Sequence, residues 1–255
     1  MSWDDNIRFE GPKAHMNVTL AMCSRNFEAE PAGGAPRGAF GVYVHFPYCL
    51  KKCPYCDFVS FRSARDEIPH AEYADAIVRE LDARGGELEG RRLSTIFFGG
   101  GTPSLWDPRE LGRVLRAVVD RFGGGDVEIT AECNPTSLDV DGARALGDAG
   151  VNRLSVGVQG LDDTRLQFLG RLHRADEGLR AVEAALEANI GRVSADLIYA
   201  VAPDGESEPP EVAAAEATRV ARTGVTHVSA YALTIEPNTE FGARAKRGKL
   251  PIAPD

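Results

Sequence analysis

From Ala39 onward, short apolar runs alternate with longer stretches whose apolar residues recur every three or four positions. The short runs read as β-strands at 41–45, 94–98, 127–132, 153–158, 193–199 and 227–233. The longer ones read as amphipathic helices at 71–83, 108–121, 139–149, 175–188 and 211–222. In the second helix Leu111, Val114, Leu115 and Val118 share one side, while Arg113 and Arg116 fall on another. Successive strands lie roughly 25–50 residues apart, the length of a βα unit with its loops. Six such units predict an α/β fold with parallel strands: a partial (β/α)6 barrel, or a doubly wound sheet, which periodicity does not separate. Residues 1–38, rich in Gly, Ala and Pro toward their end, read as a flexible lead-in in which Cys23 has no role.

What stands at the strand ends is informative. In a β/α barrel, chemistry gathers where strands stop and βα loops begin. After the first strand come Cys49, Cys53 and Cys56. After TIFF come Gly99, Gly100, Gly101, Thr102 and Pro103. Glu132 ends VEITAE, Gln159 ends RLSVGVQ, and Asp196 lies inside SADLIY. Polar or glycine-rich residues at one end of five strands mark one rim as a site. The glycines let backbone approach a ligand, or simply turn strand into helix. They form neither a P-loop nor a dinucleotide fingerprint, because no Gly-Lys-Ser/Thr follows and Ser104 stands where the last glycine should be. Glu132 suits an ammonium or hydroxyl ligand, or a rim salt bridge. Gln159 shares a strand face with the small residues Ser155 and Gly157. Asp196, between Ala195 and Leu197, is expected to be buried and to need a charged partner, for which Arg171 is the candidate.

Cys49, Cys53 and Cys56 are spaced C-x3-C-x2-C. Thiolates select zinc, copper(I) or iron–sulfur centres. A structural zinc site needs four ligands, and no second cysteine pair follows, although His45 could supply the fourth. An iron–sulfur cubane on three cysteines leaves one iron without a protein ligand, open to a small molecule with amino and carboxylate groups. Cys133 reads as a small core residue.

Composition narrows the classes. The formal charge of −9 excludes a broad basic nucleic-acid surface. No apolar run approaches the ~20 residues of a membrane span, and the N-terminus lacks the pattern of a secretory signal. Five cysteines with three in one cluster do not form a disulfide framework, so a reducing cytoplasm is the expected compartment.

The segments YVHFPYCLKKCPYCDF, FFGGGTPSLW, NRLSVGVQ, LGRLH, DLIY and LTIEPNTEF follow one another over about 41–241. Together they resemble the oxygen-independent coproporphyrinogen III oxidase group of the radical SAM superfamily. The resemblance implies a partial radical SAM barrel over 39–240. It places a [4Fe–4S] cluster on Cys49, Cys53 and Cys56, and S-adenosylmethionine (SAM) against Tyr43, Gly100, Gly101, Thr102 and Glu132. Gln159, Arg171 and Asp196 match residues near a second SAM or substrate pocket, which Gly101 and Thr102 could also face. The oxidase pattern has a further cysteine two positions after the third, where this chain has Phe58. CPYCDF, GRLH and TIEPNT are instead similar to the heme-chaperone branch, which implies heme as ligand, respiratory proteins as recipients and an electron donor. The oxidase reading implies porphyrinogen as substrate. Residues 241–255 read as the start of a connection to a C-terminal domain that the group carries and this sequence lacks.

Overall fold

The computed structural model describes residues 20–24, 37–88, 90–206 and 208–251. Its strands are β1 (Leu20–Ser24), β2 (Arg37–Phe46), the two-residue β3 (Tyr48–Cys49) and β4 (Phe61–Arg62), β5 (Arg91–Gly100), β6 (Glu128–Cys133), β7 (Arg153–Gln159), β8 (Arg192–Tyr199) and β9 (His227–Ala232). The α-helices are α1 (His70–Arg84), α2 (Pro108–Phe122), α3 (Val140–Asp148), α4 (Asp163–Phe168), α5 (Ala175–Glu187), α6 (Pro210–Ala221) and α7 (Glu240–Lys246). The main sheet runs β1-β2-β5-β6-β7-β8-β9. Only β1 is antiparallel to its neighbour. A doubly wound sheet reverses its strand order at a switch point. Here the six parallel strands advance in one direction, so right-handed crossovers stack their helices on one side and the sheet curls into a half-barrel.

Alternation along the strands gives the sheet two unlike faces. Val42, Val44 and Phe46, then Leu154, Val156 and Val158, then Val193, Ala195 and Leu197 are buried in the core beneath the helices. The intervening positions carry Thr130, Glu132, Arg153, Ser155, Ser194 and Asp196 on the concave face. Parallel strands buried on both faces read as near-continuous apolar runs. Period-two polarity in a parallel sheet therefore marks a concave face that receives something other than a helix.

The helices form where their caps and apolar stripes predict. Asp107 caps α2 by accepting from the Arg109 N–H at 2.8 Å, and Pro108 occupies the first turn. Leu111, Val114, Leu115 and Val118 are then buried, each contributing about 1.5–3 kcal/mol. Asp139 caps α3 in the same manner, accepting from Gly142 N–H at 2.7 Å.

Two differences from the sequence reading have physical causes. Leu20–Ser24 is an edge strand, with Cys23 opposite Gly41, inside the stretch read as a flexible lead-in. The last two residues of that lead-in open β2, while residues 1–19, 25–36 and 252–255 lie outside the described residues. The short α4 and α7 escaped prediction because six or seven residues cannot display a helical period.

Candidate iron–sulfur and cofactor site

The cysteine loop leaves β2 at Phe46 and is closed at its base. β3 and β4 pair in parallel, Tyr48 with Phe61 and Cys49 with Arg62. Phe61 N–H donates to Pro47 O at 2.7 Å and Ser63 N–H to Cys49 O at 2.9 Å. Inside the loop, Cys56 N–H donates to Cys53 O at 3.1 Å, and Lys52 Nζ donates to Phe58 O at 3.1 Å. Beneath it lies an aromatic wall. Phe46 stacks on Trp106 with centroids 4.9 Å apart, and Tyr73 meets Tyr48 edge-on at 5.7 Å. Tyr73 Oη donates to His45 O at 2.6 Å. The thiols thus ride on a braced loop.

The glycine run fastens the second strand to this loop. Gly101 N–H donates to Phe46 O at 2.7 Å and Thr102 N–H to Tyr48 O at 2.9 Å. Thr102 Oγ1 donates to Cys49 Sγ at 3.4 Å. A Cβ on Gly101 would stand 2.7 Å from Tyr48 O and 2.8 Å from Pro47 C. The close backbone approach read from the sequence as an approach to a ligand is made at Gly101 to the chain itself. Gly100 has φ +112°, a conformation that favours glycine.

A cleft of about 500 Å³ opens in front of the loop. Its walls include Cys49, Cys53, Cys56, Gly100, Gly101, Thr102, Glu132, Gln159, Arg171 and Asp196. Ten of the eleven residues singled out from sequence therefore meet there. Tyr43 is not on the wall: its ring stacks on Phe97 at 6.0 Å, and its hydroxyl meets His45 Nδ1 at 3.2 Å.

His45 illustrates how the loop treats its neighbours. Its Nε2 lies 2.7 Å from Val59 O, a carbonyl that can only accept, so Nε2 carries the proton and Nδ1 accepts from Tyr43. Burial lowers its pKa and keeps it neutral. With both nitrogens engaged, it is not poised as a fourth zinc ligand. Among the described residues, no three His, Cys, Asp or Glu side chains converge on the volume of one ion. The thiols nevertheless feel one another. Burial, then their mutual proximity, raises Cys49 and Cys56 above the usual thiol range. Three spaced, interacting thiols with space before them fit a polynuclear iron–sulfur centre, whose uptake would release their protons.

Glu132 faces the same space. Gly100 N–H donates to its Oε2 at 3.1 Å. Burial, reinforced by the charge of Asp196, pushes its carboxyl up to about 7. A carboxyl raised in the folded state stabilises the fold below its unfolded pKa and loses that contribution as pH rises toward 7. The charge then costs up to about 3 kcal/mol. Glu132→Gln keeps the acceptor for Gly100 and removes the charge. Thermal melts of the cluster-free protein should show this variant more stable than the parent at about pH 8 and equal to it at about pH 4. Equal melting at both values would show that the charge is already compensated.

Asp196 is half-buried rather than buried, and its partner is Ser155, whose Oγ donates to Oδ2 at 2.8 Å. The expected pairing with Arg171 is not observed. Instead, a polar relay crosses the concave face beneath Asp196. Ser155 meets Ser194 at 2.8 Å, and Arg153 donates to Ser194 at 3.2 Å and to Thr130 at 3.3 Å. Sequence reasoning noted Ser155 only as a small residue and missed Arg153 and Ser194. The signal was their alternation with Leu154 and Val193. Gln159 has φ 66°, left-handed for a non-glycine residue, where a bulge breaks the register between Val156 and Gln159. Such strain gathers at binding sites. Tyr55, on the cleft wall with Arg171, was also missed.

Residues 43–215 match the radical SAM superfamily. The chain belongs to that superfamily, which implies a [4Fe–4S] cluster and SAM. Within it, the chain is a HemN/HemW-like protein. It is 38% identical to the heme chaperone HemW of Escherichia coli over 84% of this chain and 54% of that protein. Identity to the mitochondrial radical S-adenosyl methionine domain-containing protein 1 of Bos taurus is 40%, over 88% of this chain and 49% of that one. Among solved structures, the E. coli coproporphyrinogen III oxidase HemN, described as a radical SAM enzyme, superposes with a TM-score of 0.71 at 27% identity. That match covers 84% of this chain and 49% of HemN. The chain thus spans about half the length of the relatives it matches.

Proposed function

We propose that Cys49, Cys53 and Cys56 hold a [4Fe–4S] cluster with SAM beside it, and that the protein is a cytoplasmic heme chaperone of the HemW type. One observation carries the reading: the three thiols, the Gly100–Thr102 turn, Glu132 and Asp196 share one cleft. When bound, such a cluster supplies an electron to the sulfonium of SAM. The chain's own groups have complementary tasks. Glu132, held by Gly100 N–H, accepts hydrogen bonds from a ligand ammonium group, which pulls its proton off and makes uptake weaken below pH 7. Asp196, oriented by Ser155, accepts from ligand hydroxyls. Cys49 is braced by Thr102, and the aromatic wall behind the loop excludes water.

Phe58 favours the chaperone over the oxidase. It occupies the position of the extra cysteine in the oxidase pattern and stands 60% exposed at the cleft. Tyr231, 58% exposed, lines the same cleft, and the two rings offer apolar surface suited to a porphyrin face. Heme titrated into the anaerobic protein should shift its Soret band. Incubation with SAM, reductant and coproporphyrinogen III should yield no divinyl product. An unmoved Soret band together with divinyl product would assign the oxidase function instead.

A further inference from the structure

Arg171 reaches the cleft because α4 ends in a left-handed glycine. Gly170 has φ +72°, and Arg171 N–H donates back to Leu166 O at 2.9 Å, which closes the helix end and turns the next side chain toward the cysteine loop. Gly170 packs against Pro54, within that loop: a Cβ there would lie 2.5 Å from Pro54 Cδ. The guanidinium then donates through Nη1 to Cys53 Sγ at 3.7 Å and through Nη2 to Gly157 O at 3.1 Å. Tyr55 lines the same cleft. Nε is buried without a partner. Among the described residues, no carboxylate pairs with Arg171.

A guanidinium so enclosed and lacking a carboxylate is costly unless some other negative charge faces it. The group nearest its Nη1 is the sulfur of Cys53. A cubane carried on three thiolates is net negative, and reduction adds one more electron to it. Charge and hydrogen bonding to cluster sulfur set the potential of such centres. We infer that Arg171 is the counter-charge of the cluster, holding it at Cys53 and raising its reduction potential. This rests on the cluster assignment above. The role differs from that of a ligand-binding arginine, because the hydrogen bond runs to a cluster sulfur and not into open cleft.

The test compares anaerobically reconstituted parent protein with Arg171→Gln, Arg171→Met and Arg171→Lys by iron content, circular dichroism and a redox titration followed by electron paramagnetic resonance. The neutral variants should have cluster reduction about tenfold less favourable, which is about 59 mV for one electron, and the lysine variant should recover most of the shift. Loss of iron from both neutral variants but not from the lysine variant would equally support a counter-charge. A full cluster at unchanged potential in Arg171→Gln overturns the inference. Iron loss in all three variants, with a folded spectrum, also overturns it, since shape rather than charge would then be at work. Failure of the parent itself to take up about four irons would instead sink the cluster assignment.

Discussion

Cys53→Ala should abolish the iron–sulfur chromophore while leaving the fold intact. Cys53 is half-buried and lies outside the main core, to which its loop contributes Tyr48 and Leu50, so little packing is lost. The ligand set, by contrast, falls from three to two, and two thiolates do not retain a cubane. The anaerobic protein should be brown, with a broad absorbance near about 400 nm, and the variant colourless with little iron. Cys133→Ala is the matched control. Cys133 is 5% exposed within the core, and its Sγ donates to Ala131 O at 3.6 Å. Its loss should cost about 1 kcal/mol of stability and leave iron content unchanged. Equal iron in Cys53→Ala and the parent would be fatal to the site.

Gly101→Ala separates the glycine's structural task from any direct contact with ligand. The added methyl would sit below 3 Å from Tyr48 O, Pro47 C and Phe46 O, all backbone atoms that cannot rotate away. Either the cysteine loop lifts from β5 or the hydrogen bonds from Gly101 and Thr102 to it break. Overpacking of this kind costs about 1–3 kcal/mol, or about 3–10 °C in Tm for a chain of this size. Because the displaced residues lead directly into Cys49, cluster occupancy should fall with stability. Gly125→Ala, at a position with nothing within 4 Å, should change neither. Melting and iron analysis of the two variants check this. A Gly101→Ala protein with parental Tm and full iron would show that the loop is not seated on the turn.

Much of this arrangement was legible beforehand because it depends on local pattern. All six parallel strands follow from apolar runs of the right length, and the concave face from the alternation of Arg153, Ser155 and Gly157 with Leu154, Val156 and Val158. The cysteine spacing narrowed the chemistry to a thiolate-bound metal centre, and the resemblance of the surrounding motifs chose among the options. What stayed hidden depends on register and on contacts distant in sequence. Strand order, which decides between half-barrel and doubly wound sheet, is a property of the assembled sheet. The bulge that forces Gln159 to positive φ has no signature in RLSVGVQ. Arg171 turned from Asp196 to Cys53 because Gly170 ends α4 in a left-handed turn, and a charge 118 positions from its partner cannot be assigned by spacing. Edge strand β1 was obscured by its Gly- and Pro-rich surroundings, although LAMCS is an apolar run of strand length.

The central claim is that three thiolates leave one iron open to SAM inside this cleft. Electron paramagnetic resonance of the reduced protein, recorded with and without SAM, tests it most directly. A cluster signal whose g-values shift on adding SAM is the expected result, because the sulfonium compound ligates the iron itself. A signal unchanged at saturating SAM, from protein with a full complement of iron, would contradict it.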